Sequence, residues 1–148
     1  MAGDTKARIL ESALELFAEK GYSGTSMSDI AKRLGITKAA LYKHYTSKQE
    51  IFEAVMQDTA QRYERFADQI DVHMQNAPQD FLVFTGISVD ALVEKARQIF
   101  PYSLHDEANR LFRRMMTIEQ FRSPELSVCT HSVMWSGSWT ITPRFSAA

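Results

Sequence analysis

Five basic side chains fall within one short stretch of the chain, and no acidic residue lies between Asp29 and Glu50. They are Lys32, Arg33, Lys38, Lys43 and Lys48. Exposed lysine and arginine can bind the phosphates of DNA or hydrogen-bond to base edges in its major groove. The formal net charge of -1 does not reveal this feature, because a binding partner interacts with the local electrostatic field and not with the average charge of the chain. The pattern predicts double-stranded DNA as the partner of this segment.

Two short helices joined by a glycine turn are predicted to position these side chains. Ser26 followed by Asp29 is typical of a capping box, with Asp in place of the usual Glu or Gln. Gly35 ends that helix and supplies the turn. Thr37 is predicted to cap a third helix that runs to about Tyr45. A helix pair of this kind can place its second helix in the major groove.

Longer helices are predicted on either side of this pair. Asp4 or Thr5 can cap a first helix, which Gly21 ends, and Ser47 with Glu50 forms a second capping box that opens a long fourth helix. None of the short helices is stable alone, so their apolar faces must be buried together. The residues predicted to form this core are Ile9, Leu14, Phe17, Ile30, Leu34, Leu41 and Tyr45.

The third helix is predicted to contact the bases. Lys38 can reach guanine acceptors, and the small Ala39 can contact a thymine methyl group. Tyr42 and Lys48 suit phosphate oxygens, and the helix amino termini at Met27 and Lys48 present backbone N–H groups to phosphates. The exposed residues predicted for this helix are Lys38, Ala39, Tyr42, Lys43 and His44. Each one alone also fits a solvated surface, and Tyr42 also fits the core; their joint spacing favours DNA binding.

The rest of the chain up to about residue 126 is also predicted to be helical. One helix spans Phe81 to Phe100 and is stopped by Pro101, and another spans Leu104 to Phe121. The first has a wide apolar face, predicted to be buried: Leu82, Ile87, Leu92, Val93, Ala96 and Ile99. An apolar pocket for a small molecule can be built from side chains that also fit a plain core: Phe81, Phe84, Ile87, Leu92, Phe100, Met115 and Met116.

Residues 127–148 differ from everything that precedes them. They contain no Asp or Glu, two Trp and no helical period. A shifted reading frame can encode an amphipathic helical segment there, so a frameshift is one hypothesis for this tail. The single cysteine, Cys129, fits a reducing compartment, and no apolar run is long enough to span a bilayer, so a cytoplasmic location is expected.

Enzyme chemistry has little support in the sequence. Cys129 and His131 are neighbours only in a Ser-rich tail, and the four histidines show no spacing typical of a metal site. Neither a glycine-rich phosphate loop nor a pair of catalytic acids is present. No catalytic residue, metal or cofactor is therefore expected.

Residues 5–52 resemble the DNA-binding domain of the TetR/AcrR family of bacterial transcriptional repressors. The residues that match are Ala13, Phe17, Gly21-Tyr22, Gly24-Thr25-Ser26, Asp29-Ile30-Ala31, Leu34-Gly35-Ile36, Leu41-Tyr42-Lys43-His44-Tyr45 and Lys48. The resemblance implies that four of them contact phosphates: Ser26, Thr37, Tyr42 and Lys48. It implies that Lys38, Ala39 and His44 face bases.

The resemblance has further implications for partners. It implies a homodimer on an operator of two half-sites, and a small-molecule effector that binds the helical C-terminal domain and releases DNA. The segment from Arg110 to Leu126 resembles the family helix that leads into the dimer-forming part, whereas residues 127–148 do not resemble the helices that usually follow.

We therefore expect an all-α protein with a helix-turn-helix domain at residues 1–50, an incomplete helical ligand-binding and dimerisation domain at 51–126, and the atypical tail at 127–148. The expected function is sequence-specific transcriptional regulation, with repression relieved by an effector. The alternative is a truncated, non-repressing interaction protein that binds DNA weakly through one half-site or without sequence preference. Self-association with steeply salt-dependent operator binding distinguishes the first from the second.

Overall fold

The computed structural model describes residues 2–70 and 86–121, and the described residues contain helices and no strands. The helices are α1 (Ala2–Lys20), α2 (Met27–Leu34), α3 (Lys38–Tyr42), α4 (Lys48–Ile70), α5 (Val89–His105) and α6 (Glu107–Glu119). The all-α fold class predicted from the sequence is confirmed. The predicted break near Pro78, residues Leu82, Phe81 and Phe84, and the whole 127–148 tail lie outside the described residues.

The first helix and the turn after α2 form as predicted, with one change of boundary. The first helix begins at Ala2, before the predicted caps at Asp4 or Thr5, and its last residue is Lys20; Gly21, which follows, has a left-handed φ of 76°. The turn after α2 is a Schellman motif, in which Gly35 N–H donates to Lys32 O (3.2 Å) and Ile36 N–H donates to Ala31 O (3.0 Å). Gly35 has a φ of 68°, which favours glycine because it has no Cβ.

The third helix is shorter than predicted. Thr37 caps it, accepting a hydrogen bond from Ala40 N–H at 3.1 Å, but the helix ends at Tyr42 and not near Tyr45. Beyond Tyr42 the backbone tightens, and His44 N–H donates to Leu41 O, three residues back, at 2.9 Å. This turn brings the Tyr45 side chain into the core, where it is 7% exposed.

The predicted capping box at the start of α4 is only half correct. Ser47 Oγ accepts a hydrogen bond from Glu50 N–H at 3.1 Å, as a cap does. The Glu50 carboxylate, however, accepts from Thr46 N–H (2.6 Å) and Thr46 Oγ1 (2.8 Å), one residue before the cap. The tight turn that follows α3 brings Thr46 N–H within reach of this carboxylate.

The predicted core is present, and α4 and α6 enlarge it. Six of the seven predicted residues are buried, and Leu34 is partly buried against them. Phe52 of α4 packs edge-on against Phe17 of α1, with ring centroids 5.5 Å apart. From α6, Phe112, Met115 and Met116 enter the same cluster. The core therefore extends across the predicted domain boundary near residue 50.

The prediction that Pro101 stops a helix is wrong. Pro101 lies inside α5, which continues to His105 and ends at Asp106, the residue that caps α6 by accepting from Asn109 N–H at 2.8 Å. Proline removes one backbone donor, but the neighbouring hydrogen bonds and the stacking of Tyr102 on Phe66 (ring centroids 3.9 Å apart) hold the segment helical. Leu104 consequently belongs to α5 and not to the next helix.

The buried apolar face predicted for this helix is also not observed. None of its described residues is buried, and Leu92 and Val93 are 46% and 45% exposed. A helix with an apolar face needs a partner surface on that face. Among the described residues, α5 packs on α6 and stacks Tyr102 on Phe66 of α4. The sequence pattern identified an apolar face, but the prediction that this face is buried is wrong for its described residues.

Replacing Met115 by Ala tests whether α6 completes the core of the amino-terminal helices. Met115 is fully buried, so we expect the free energy of unfolding to fall by about 2–5 kcal/mol. Chemical denaturation followed by circular dichroism measures this. The matched control is Leu104→Ala, at a side chain that is 54% exposed, for which we expect a change within about 0.5 kcal/mol. Equal effects of the two substitutions would contradict the shared core.

Candidate nucleic-acid interface

The amino terminus of α2 is held by a capping box that matches the predicted one. Ser26 Oγ accepts from Asp29 N–H at 3.2 Å, and the Asp29 carboxylate accepts from Ser26 N–H at 2.8 Å. The Ser26 hydroxyl also donates to this carboxylate. These hydrogen bonds hold the pKa of Asp29 below its ordinary value. The arrangement fixes the first turn of α2 and leaves Ser26 exposed, where a phosphate can approach it.

The third helix has one face in the core and the other in solvent. Leu41 is fully buried, and it anchors the helix. Lys38, Ala39 and Lys43 are exposed, and the Tyr42 side chain is 44% exposed. Lys38 Nζ lies 5.8 Å from the centroid of the Tyr42 ring, so these two predicted contacts are neighbours. The exposed face thus combines two ammonium groups, an aromatic hydroxyl and a small methyl side chain.

Met27 and His44 are placed differently from the residues on that face. The Met27 side chain is 8% exposed and belongs to the core, so only its backbone N–H is suited to a phosphate, as predicted for a helix amino terminus. His44 follows α3 in the tight turn and is half-buried. The structure brings Thr37, Lys38, Ala39, Tyr42 and Lys43 together on α3 and its cap, with His44 at the edge.

Lys48 is bound to the protein itself. Its Nζ donates to Tyr22 O at 2.7 Å and lies 4.1 Å from the centroid of the Tyr22 ring. Burial lowers the pKa of Lys48, and the negative charge of Glu119 opposes this shift. An ammonium has three donor hydrogens, and the bond to Tyr22 uses one. Its position at the start of α4 therefore still suits a phosphate contact.

Arg33 does not contribute a free positive charge to the surface, contrary to the prediction from the basic stretch. Its guanidinium donates to Glu15 Oε2 at 2.9 Å and to both carboxylate oxygens of Glu19 at 2.8 and 3.0 Å. The hydrogen bond from Arg33 lowers the pKa of Glu19. These ion pairs join α2 to α1. The spacing of Glu15 and Glu19, one helical turn apart, was the sequence signal for a shared cationic partner.

Sequence reasoning missed Glu119, a buried carboxylate close to this surface. It lies on α6, is 4% exposed, and its Oε1 accepts from Tyr22 N–H at 2.7 Å. Its spacing from Phe112, Met115 and Met116 places it on the apolar face of the helix. That position, a carboxylate in line with core residues, was the signal that could have found it.

Phe81 and Phe84 lie outside the described residues, and the other residues predicted to line a ligand pocket differ widely in burial. Met115 and Met116 are buried against the amino-terminal helices, whereas Leu92 and Phe100 are 46% and 62% exposed and Ile87 is half-buried. A cavity of about 250 Å³ lies instead between α1, α4 and α6. Its lining mixes carboxylates with an apolar floor: Glu11, Glu15, Asp58, Asp106, Glu107, Leu10, Leu14, Val55 and Leu111, with Thr59, Arg62 and Ala108.

Residues 2–70 and 86–121 contain no group of three His, Cys, Asp or Glu side chains placed to hold a metal ion. None of their helices is long and apolar enough to cross a membrane.

The fold and the exposed face of α3 together define a helix-turn-helix protein. Residues 9–55 match the family model described as bacterial regulatory proteins of the tetR family. The biofilm operon icaADBC HTH-type negative transcriptional regulator IcaR of Staphylococcus aureus (strain Newman) is 52% identical over 48 residues, which are 32% of this chain and 26% of IcaR. The Staphylococcus epidermidis IcaR (strain ATCC 35984) is 51% identical over 47 residues, 32% of this chain and 25% of that protein.

A solved structure extends the likeness beyond the amino-terminal helices. A protein of Mesorhizobium loti MAFF303099, described as a TetR-family transcriptional regulator, is 27% identical to this chain with a TM-score of 0.61. The superposition covers 89% of this chain and 61% of that one. The likeness to the tetR family model thus covers residues 9–55 of this chain, and the likeness to the solved structure extends over most of it. The alignments span about a quarter of the length of the curated relatives.

Replacing Ser26 by Ala removes the cap of α2. We expect the free energy of unfolding to fall by about 1 kcal/mol, because Asp29 N–H and the first turn lose their acceptor. Thermal melting followed by circular dichroism measures the change. Ser28→Ala, two residues further along the same helix at an exposed position, is the matched control and should leave stability nearly unchanged. An equal loss in both variants would show that the cap contributes nothing.

Acid should weaken the same capping box. Because folding lowers the pKa of Asp29, the stability it adds is complete above the ordinary pKa of Asp and is lost as pH falls through the lowered value. The difference in melting temperature between the wild type and Asp29→Asn should therefore shrink from about pH 6 to about pH 2. A constant difference over this range would contradict the assigned role of the carboxylate.

Proposed function

We propose that this chain is a sequence-specific DNA-binding transcriptional regulator that acts as a repressor. The observation that carries the proposal is α3, whose exposed face holds Lys38, Ala39 and Lys43 while Leu41 fixes the helix in the core. No carboxylate occurs between residues 30 and 49 to oppose a polyanion. A short, rigidly held helix with ammonium groups on its free face suits the major groove.

The proposed contacts divide by chemistry. Lys38 and Ala39, in the first turn of α3, face base edges, with His44 at the far end of the turn. Ser26, Thr37, Tyr42 and Lys48 contact phosphates and so fix the position of α3 without reading sequence. Lys43 and the backbone N–H of Met27 add to the phosphate-facing charge. We assign these contacts to a DNA-binding domain at residues 1–50, followed by an effector-binding and dimer-forming part at 51–126.

Repression is proposed on the basis of the relatives, and the effector and the homodimer on the basis of the family resemblance of residues 5–52. The IcaR proteins are described as negative regulators, which supports repression here. Several apolar side chains of α5 are largely exposed, with Val89 at 76% and Phe100 at 62%, and a second subunit would cover such a surface. A dimer would place two α3 helices on two half-sites, which strengthens binding by linking two weak contacts. The effector itself is a small molecule of unassigned chemistry.

Selection from a random DNA library tests the proposal. The purified protein should enrich one sequence motif, and duplexes with this motif should bind more tightly than random duplexes by about 10³-fold or more. Sedimentation of the same sample gives the oligomeric state. A monomer that enriches no motif would favour the alternative, a protein with only weak half-site or nonspecific DNA binding.

Removing the ammonium group of Lys43, the residue that follows α3, should lower the salt dependence of binding. We expect Lys43→Ala to reduce the slope of log K against log salt concentration by about 0.9, because the lost phosphate contact releases one counterion fewer. Fluorescence anisotropy with a labelled random-sequence duplex measures the slope. Arg110→Ala, which removes an exposed charge from α6, is the matched control and should leave the slope unchanged. An equal change in the control would assign the effect to net charge.

A further inference from the structure

Tyr22 lies at a junction between α6 and the proposed DNA-binding surface. Glu119 Oε1 of α6 accepts from its backbone N–H at 2.7 Å, and Lys48 Nζ of α4 donates to its backbone carbonyl at 2.7 Å. Two hydrogen bonds on opposite sides of one residue thus link a helix of the C-terminal part to the first residue of α4. Glu119 and Tyr22 are 97 residues apart in the sequence, so this link exists only in the fold.

The surroundings make this junction rigid. The Tyr22 ring packs against Phe52 and Phe17, with centroids 5.1 and 5.8 Å away, and the Lys48 ammonium lies over its face at 4.1 Å. Gly21, immediately before Tyr22, has the left-handed φ of 76° that turns the chain at this point. Glu119 is only 4% exposed, so the hydrogen bond that its carboxylate accepts from Tyr22 N–H is shielded from water.

We propose that Glu119 is a positioning residue for DNA binding, whose buried carboxylate fixes Tyr22 and, through the Tyr22 carbonyl, the Lys48 ammonium at the amino end of α4. The proposal rests on the proposed function, because Lys48 must contact a DNA phosphate. It adds a residue of α6 that touches no DNA and yet sets the geometry of a phosphate contact.

Substitutions at Glu119 separate the effect of its side-chain length from the effect of its charge. Glu119→Asp keeps the charge but shortens the side chain, so its carboxylate no longer meets Tyr22 N–H; Glu119→Gln removes the charge but keeps an acceptor oxygen at the same place. We expect E119D to weaken binding to a labelled random-sequence duplex about tenfold, and E119Q to weaken it less than about twofold. E107Q, on the exposed start of α6, is the matched control and should bind like the wild type.

A double-mutant cycle with Lys48→Met then tests whether Glu119 acts through Lys48. In the K48M background we expect E119D to change the affinity by less than about twofold, since the group it positions is gone. We also expect the salt slope of E119D to be smaller than that of the wild type by up to about 0.9. A purely structural defect would not produce this change. Thermal melting of each variant confirms that the fraction of folded protein is unchanged at the assay temperature.

Each outcome assigns a cause. An equal loss for E119D in both backgrounds, or an E119Q loss as large as that of E119D, overturns the positioning role while leaving DNA binding intact. Failure of the wild-type protein to bind the duplex with any salt dependence overturns the proposed function instead. If E119D does not fold, E119N replaces it in the cycle and E119Q stays as the comparison. The shorter Asn amide removes the acceptor without burying a displaced charge. The same comparison of the wild-type and K48M backgrounds then decides.

Discussion

The structure depends on the burial of one face of α1. Ile9, Ala13 and Phe17 are all fully buried, and every other helix of the amino-terminal region packs against them directly or through a neighbour. The hydrophobic effect makes this burial favourable only if α2, α4 and α6 all pack on the face, because none of them can cover it alone. The exposed face of α3 has a defined direction only because Leu41 inserts into this core.

Hydrogen bonds and ion pairs fix the ends and the orientation of the helices that the core brings together. Helix ends are fixed by side chains that satisfy backbone N–H groups: Ser26 for α2, Thr37 for α3 and Ser47 for α4. The Arg33 ion pairs join α2 to α1, but they are exposed to solvent, so they orient the helices more than they stabilise the fold. Because the Arg33 guanidinium is paired within the protein, the exposed ammonium groups between Asp29 and Glu50 are those of Lys32, Lys38 and Lys43.

The connection between the two parts of the chain follows from the same core. Met115 and Met116 of α6 bury their side chains beside those of α1 and α4, and Glu119 continues this face to Tyr22. Packed interiors transmit displacement, because a close-packed core cannot absorb a shift at one place only. The start of α4 and the turn before α2 are therefore held in place partly by contacts from α6.

The sequence alone was enough to predict the local elements, because the Ser26 capping box, the Gly35 turn, the Thr37 cap and the apolar face of α1 each depend on residues close together in the chain. It also indicated the exposed lysines of α3, because helical spacing decides which side of a short helix faces out. The folded structure was needed to show where α3 ends, that α5 continues through Pro101, and that Arg33 and Lys48 bind within the protein. It also placed Glu119 against Tyr22. These outcomes depend on contacts between residues far apart in the chain, and neither helical periodicity nor capping patterns contain that information.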